Sequence, residues 1–337
     1  MMRLPRFRYV APSSLPEAAA ALADLGPEAT VLAGGTDLFP NMKRRQQTPK
    51  AVVALRGIAA LRARSVDPAR GLTLGALTQL SALEHDRAIA AAWPALSRAA
   101  SLVATPPLRN MGTIGGNLCL DTRCSYYDQS HEWRTAIGYC MKKEGDVCWV
   151  APGSQRCWAV SSSDTAPVLW SMGAMVTLSG PAGERRIPIA GLYQDDGIVY
   201  LSKRPDEVLT EVALPPAGDL RSAYLKLRRR GSFDFPVLGV AAALRMDGDV
   251  VREARIVLGA VASLPREAVD AGALLVGRRL TAELIDEAAG VASRPSKPLD
   301  NTDLTHPYRK KMTRVFVTRA LRRLADLPAT NEGDTAA

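Results

Sequence analysis

Val31-Leu32-Ala33-Gly34-Gly35-Thr36-Asp37-Leu38 is the stretch on which the reading of this chain turns. The apolar run Thr30–Ala33 reads as a short buried strand, and the polar residues after the paired glycines read as the start of a helix ending near Lys43. Glycines let backbone N–H groups approach an anion closely, and the dipole of a helix start favours negative charge there. Thr36 adds a hydroxyl. The string is not a G-x-G-x-x-G fingerprint, so it does not specify a Rossmann fold. A plain tight turn would have the same appearance. A second glycine-rich loop, Arg109-Asn110-Met111-Gly112-Thr113-Ile114-Gly115-Gly116-Asn117, carries the same two readings. Together the loops suit a ligand with a pyrophosphate.

Outward from the first loop, Ser14 is placed to cap a helix with Pro16 and Glu17 in its first turn and Gly26 as its stop. Ala51-Val52-Val53-Ala54-Leu55 reads as a further buried strand, so residues 1–57 form one β-loop-α-β subdomain. A strand over 71–76 follows the turn Asp67-Pro68-Ala69-Arg70, and helices are expected over about 78–85 and 87–103. Alternation resumes at Ala174–Leu178. The proline-rich Pro215-Pro216-Ala217-Gly218 marks a boundary, giving a second subdomain over 58–216. Strands over 222–228, 237–245 and 250–259, the last two joined at Asp247-Gly248-Asp249, predict a three-stranded antiparallel sheet with helices over 217–328. Thr305 is expected to cap a last helix whose apolar face is Tyr308, Met312, Val315, Phe316, Ala320 and Leu324. Residues 329–337 read as a disordered tail. The fold class is α+β.

Net charge is +9, and seven of the basic residues, Arg309, Lys310, Lys311, Arg314, Arg319, Arg322 and Arg323, fall in the last helix. This balance suits an acidic protein partner. Without zinc-finger spacing, an RNP-type motif or interleaved aromatics, nucleic acid is not supported as a partner. No apolar run is long enough for a membrane span, and the N-terminal stretch has no signal-peptide h-region, so the cytoplasm is the default location.

The five cysteines all lie between Cys119 and Cys157, in a segment over about 119–160 that shows no secondary-structure period. Such clustering reads as a metal or redox site rather than as disulfides. A long segment without its own core needs a staple, which four thiolates on one metal centre would supply. Cys124, Cys140, Cys148 and Cys157 are the candidate ligands, spaced C-x15-C-x7-C-x8-C. Structural zinc usually draws on C-x-x-C pairs, absent here, and soft thiolates equally suit iron–sulfur clusters; spacing alone does not separate the two. Cys119 reads as a small buried hydrophobe. The three histidines, His85, His131 and His306, make no catalytic arrangement with Ser or Asp, and no P-loop is present.

These strings resemble a known family. Val31–Leu38 is similar to the first FAD loop of the flavoprotein subunits of the xanthine dehydrogenase and carbon monoxide dehydrogenase family, and Thr113–Asn117 to the second. Ser163-Asp164-Thr165-Ala166-Pro167 resembles the family's Ser-Asp-x-x-Pro, Lys226 lies in a string like its lysine-bearing strand, and Val257–Ala262 resembles the opening of its C-terminal domain. The resemblance runs from Phe7 to about Leu327. It implies the FAD-binding fold shared with vanillyl-alcohol oxidase and p-cresol methylhydroxylase, two α+β subdomains plus a C-terminal α+β domain. It also implies FAD contacts from Leu32, Ala33, Gly34, Gly35, Thr36, Asp37, Leu38, Asn110, Thr113, Gly115, Gly116, Asn117, Asp164 and Lys226. Read without it, Asp164 is a helix N-cap and Lys226 a solvated strand lysine.

Asp121–Ser130, Trp133-Arg134 and Cys140–Lys143 further resemble the 4-hydroxybenzoyl-CoA reductase β-subunit group, in which an insertion binds a [4Fe-4S] cluster through four cysteines. Asp128 stands where that resemblance leads us to expect Asn. The resemblance implies an electron-transfer subunit beside a small [2Fe-2S] subunit and a large subunit with a molybdopterin-type molybdenum cofactor, with ferredoxin or a similar acidic carrier as donor. The alternative is the flavin subunit of an oxidising hydroxylase or aldehyde dehydrogenase that passes electrons to NAD or a quinone. A zinc-stapled, non-catalytic scaffold is the reading from another class.

Overall fold

A computed structural model describes residues 3–328, so the expected tail over 329–337 lies outside the described residues. Three sheets follow one another along the chain. The first is parallel, in the order β1-β3-β2, with β1 at Arg8–Val10, β2 at Ala29–Leu32 and β3 at Ala51–Ala54. The helix Leu15–Leu25 begins as its sequence requires. Ser14 Oγ accepts from the Glu17 N–H at 3.3 Å, and the Glu17 carboxylate reaches back to the Ser13 N–H at 2.8 Å. One orphan donor of the first turn, and the Ser13 N–H just before the cap, are thereby satisfied.

The second sheet is antiparallel, in the order β4-β5-β8-β6-β7. Its strands are β4 (Arg64–Asp67), β5 (Gly71–Gly75), β6 (Met175–Gly180), β7 (Gly183–Pro188) and β8 (Val208–Leu214). Sequence reading found β5 and β6 but not β4, β7 and β8. The exposed Arg64, Ser65, Glu184 and Arg186 give β4 and β7 little apolar alternation to read. Everything between β5 and β6, including both the second glycine loop and the cysteines, is one excursion from this sheet. The expected helix over 87–103 breaks into Arg87–Ala92 and Pro94–Ser101. Pro94 has no N–H to continue the first helix and stands at the first position of the second.

The third sheet has four strands, not three, in the order β12-β11-β10-β9. They are β9 (Leu220–Leu227), β10 (Leu238–Asp247), β11 (Val250–Gly259) and β12 (Arg266–Glu267). A two-residue strand carries no period, which is why β12 was not expected. β10 is buried from Leu238 to Leu244 because it separates two cores. Ala241 and Ala243 face the core of the second sheet, and Val240, Ala242 and Leu244 face that of the C-terminal helices. Buried on both faces, it reads as a continuous apolar run. In β9 the same alternation sends Ala223 and Leu225 to the C-terminal core and turns Tyr224 to the other side, into the core of the second sheet; Lys226, two residues on, shares that face.

The last helix, His306–Leu324, packs on β9, β10 and the helix Ala282–Ala292. Its buried face is Arg309, Thr313, Phe316, Val317, Ala320, Leu321 and Leu324, rotated from the expected stripe, and Tyr308 is exposed. Thr305 occupies the cap position without a side-chain cap bond. Arg309 is wholly buried, donating to the carbonyls of Val237, Leu299 and Ala260. It is therefore a stitch inside the C-terminal unit rather than part of a basic surface. No helix among the described residues is long and apolar enough to cross a membrane.

Candidate flavin cleft and cysteine segment

The two glycine loops meet. A Cβ on Gly34 would stand 2.0 Å from the Met111 carbonyl oxygen, so only glycine permits this contact. Gly35 follows at φ +74°, the left-handed region that favours glycine, and turns the chain into the helix Leu38–Lys43. Among the described residues the backbone N–H groups of Gly34, Gly35, Thr36 and Asp37 donate to no protein acceptor. Four free donors at a helix start are the composition of an anion cradle.

These residues line a cleft of about 350 Å³, within the ~300–1,000 Å³ range of small-molecule sites. Ala33, Gly34, Gly35, Thr36, Asp37, Leu38, Thr113, Gly115, Gly116, Asn117 and Asp164 all border it. Three of the expected residues do not. Leu32 packs into the small core behind the first sheet, Asn110 is exposed, and Lys226 lies behind Asp164.

The second loop opens the helix Ile114–Leu118, whose first turn is capped by Thr113 Oγ1 accepting from the Gly116 N–H at 3.1 Å. Asn117 Oδ1 then accepts from Ser163 Oγ at 2.8 Å and from Thr165 Oγ1 at 2.6 Å, tying this loop to the turn that carries Asp164. Asp164 is not the helix cap that its position suggests; Ser163 Oγ takes that role, accepting from the Ala166 N–H at 3.1 Å. Asp164 instead accepts from Tyr224 Oη at 2.7 Å and from Lys226 Nζ at 2.8 Å, and Lys226 also donates to the Leu102 carbonyl at 2.9 Å. All three side chains are buried, so the reading of Lys226 as a solvated strand lysine fails. Burial pushes the Asp164 carboxyl up from its usual range, against the pull of the ammonium. Tyr224 was not anticipated, although its i, i+2 relation to Lys226 was a usable signal.

The cysteine segment is held from three sides. Arg123 and Val160 exchange backbone hydrogen bonds at 2.8 and 2.7 Å across its neck. Gln46 Nε2 donates to the Tyr127 carbonyl at 2.7 Å, and Asn301 Nδ2 to the Trp158 carbonyl at 2.7 Å. Arg123 ties it to the flavin loop: its guanidinium donates to Asp37, lies 3.2 Å from Asp128 Oδ1 and sits 4.4 Å from the centre of the Phe235 ring. Neither Arg123 nor Phe235 was expected at the cleft.

Cys124, Cys140, Cys148 and Cys157 are all buried in this segment, and Cys124, Cys140 and Cys157 share one small core with Tyr127 and Ala159. Among the described residues no group of three or more His, Cys, Asp and Glu side chains is arranged to hold a metal ion. Backbone N–H groups favour the thiolate forms: those of Tyr126 and Tyr127 act on Cys124, those of Val150, Ala151 and Trp158 on Cys148, and that of Ala159 on Cys157. Burial nevertheless pushes the Cys124 thiol up to about 12. A hydrogen bond from the Cys157 thiol draws Cys148 down to about 5 and correspondingly raises Cys157. Cys119 stands apart, packed against the core of the second sheet and bordering the cleft. His85, His131 and His306 are exposed.

Residues 5–217 match the family described as the FAD binding domain in molybdopterin dehydrogenase, and residues 222–324 match the CO dehydrogenase flavoprotein C-terminal domain. This chain belongs to the xanthine dehydrogenase/CO dehydrogenase family of FAD-binding subunits. Among the relatives of this flavoprotein is the carbon monoxide dehydrogenase medium chain of Afipia carboxidovorans, 32% identical over 94% of this chain and 96% of that one. The aldehyde oxidoreductase FAD-binding subunit PaoB of Escherichia coli is 32% identical over 76% of this chain and 82% of its own. Of solved structures, a cyanide-inactivated Cu,Mo-CO dehydrogenase superposes with a TM-score of 0.79 at 30% identity, covering 96% of this chain and 99% of that one. The carbon monoxide dehydrogenase of Hydrogenophaga pseudoflava gives 0.78 at 30% identity, covering 95% and 98%.

Proposed function

We propose that this FAD-binding subunit also carries a [4Fe-4S] cluster and passes electrons within a heteromeric molybdenum enzyme that reductively removes a ring hydroxyl from 4-hydroxybenzoyl-CoA or a related aromatic acyl-CoA. The observation that carries the reading is the buried four-cysteine segment, lined by backbone N–H groups and pinned by Arg123 to the first flavin loop.

The residues present fit FAD. The free N–H groups of Gly34–Asp37 suit its pyrophosphate, with Thr36 as a further donor, and Ala33, Leu38, Thr113, Gly115 and Gly116 complete the cradle. Asp164 retains lone pairs for hydroxyls of the flavin side chain while Tyr224 and Lys226 hold it in place. Bound there, FAD supplies a carrier that exchanges electrons one or two at a time. Among the described residues no histidine borders the cleft, which supports a non-covalently held flavin. The donor set also fits a cluster: four soft thiolate ligands, Cys124, Cys140, Cys148 and Cys157. A cube of four irons spreads its thiolates farther apart than a single ion does, so this reading does not require the sulfurs to close on one point. Partner subunits then hold [2Fe-2S] clusters and the molybdopterin-type cofactor, and ferredoxin or another acidic carrier is the donor, matched to the net charge of +9.

A second reading is supported by the relatives, whose names are those of carbon monoxide and aldehyde-oxidising enzymes. In it the same subunit takes electrons from an oxidising molybdenum subunit and delivers them to NAD or a quinone. Purification of the complex and addition of candidate substrates separates the two. If an aromatic acyl-CoA reoxidises the dithionite-reduced complex, the reductive reading stands. If acyl-CoAs leave it reduced and an aldehyde or heterocycle bleaches the oxidised flavin, the second replaces it.

A further inference from the structure

Lys142 lies between the flavin cleft and the cysteines, and neither role just described uses it. Its side chain is 6% exposed, although it extends from a segment with no regular structure. All three ammonium protons are engaged: Nζ lies 2.7 Å from Asp121 Oδ1, 2.7 Å from Thr122 Oγ1 and 2.6 Å from the Gly197 carbonyl. It also lies 5.0 Å from the centre of the Tyr127 ring and 5.5 Å from that of Tyr200. A buried charge is retained at a cost in solvation unless it is paired, and this one is paired on every proton.

The two ends of the ion pair face different sites. Asp121 borders the flavin cleft, where Gln47 Nε2 donates to its other oxygen at 3.0 Å, and Tyr200 borders the same cleft. Lys142 does not border it. The ammonium instead binds the carbonyl of Gly197, a residue packed so closely on Cys157 that a Cβ there would stand 2.6 Å from the Cys157 sulfur. The Gly197 N–H in turn donates to the Cys157 carbonyl at 2.9 Å. The pair is thus a fixed dipole across the wall, negative end toward the flavin cleft and positive end toward the side of Cys157. In a site shielded from water such a field is weakly screened.

We infer that the Lys142–Asp121 pair sets the relative reduction potentials of the two centres, making a cluster on the cysteines easier to reduce and the flavin harder. This rests on the cluster reading above. Its role is positioning of charge, since neither side chain is a ligand or a redox group.

The test is a redox titration of the full chain, following flavin by visible absorbance and the cluster by its paramagnetic resonance. In Lys142→Gln/Asp121→Asn, which keeps hydrogen-bonding groups and removes both charges, the cluster potential should fall and the flavin potential rise. A relative change of about 59 mV corresponds to a tenfold change in the one-electron equilibrium between them, and a shift of that order is expected. Potentials that stay fixed, or move together, in a variant retaining iron and FAD overturn the inference. Asp121→Asn alone is the milder variant if the double one folds poorly. Both potentials should then rise, the flavin's by more, and the reverse order overturns the proposal. Iron analysis of the unaltered chain comes first: no iron there defeats the cluster reading, and this inference with it, before any variant is compared.

Discussion

Replacing Lys226 with Met removes the ammonium but keeps most of the side chain's volume. Lys226 Nζ and Asp164 Oδ2 are 2.8 Å apart, with side chains 1% and 3% exposed. At an effective dielectric constant of ~20 their attraction is about 6 kcal/mol, most of which offsets the loss of hydration by both groups. The intact pair therefore contributes little net stability, whereas the orphaned carboxylate costs about 3–5 kcal/mol. Asp164 can relieve that cost by taking a proton. Burial already raises its pKa, and losing Lys226 raises it further. For a carboxyl whose folded pKa lies above its unfolded value, the penalty is present at pH above the folded value and fades as pH falls through it. Urea unfolding of flavin-free Lys226→Met, followed by circular dichroism, should show this loss near neutrality and a smaller deficit in acid. Lys226→Met/Asp164→Leu should recover much of it. A loss below ~1 kcal/mol, or a double variant no more stable than the single one, would refute the reasoning.

Gly34→Ala should force the glycine loops apart, because its Cβ would sit 2.0 Å from the Met111 oxygen; a strain of ~1–3 kcal/mol predicts flavin retention weaker by roughly tenfold, measured by equilibrium dialysis. Arg185, donating to Glu207 at 2.7 and 2.9 Å, holds that buried carboxyl below its usual range. Its contribution to stability is present above the unfolded value near ~4.3 and is lost as pH falls through the lower folded one, so Glu207→Gln should flatten the acid limb of a Tm–pH profile. Cys140→Ser should lose iron and keep FAD, with ferredoxin-linked flavin reduction slowed and reduction by small dyes unchanged; full iron content in the variant would show that the ligand set is wrong.

What could be read from the sequence was local chemistry. Ser14 announces a helix start, Gly34-Gly35 an anion cradle or a tight turn, and the crowding of cysteines a segment with its own purpose. The misses have physical causes. β4 and β7 are largely solvent-facing and β12 is two residues long, so none carries an apolar pattern. The last helix was read one step around its axis because Arg309, a charged residue, proved to be core: three carbonyls from separate segments satisfy it. At the site, Asp164 and Lys226 were named as separate candidates, but their joining with Tyr224 depends on β9 passing beneath the Asp164 turn, a long-range fact. Arg123, Lys142 and Phe235 were missed for the same reason. Each acts through partners far away in the chain, and charge at a single position says nothing of them.

The most direct test of the account is the cofactor content of the chain purified without oxygen. Flavin released by acid, iron, acid-labile sulfide and zinc should be measured on the same sample. The account predicts FAD together with iron and sulfide in equal amounts, about four of each per flavin for a [4Fe-4S] centre. FAD without iron, or zinc in its place, would contradict it and leave the cysteine segment a structural staple on an otherwise ordinary flavoprotein subunit.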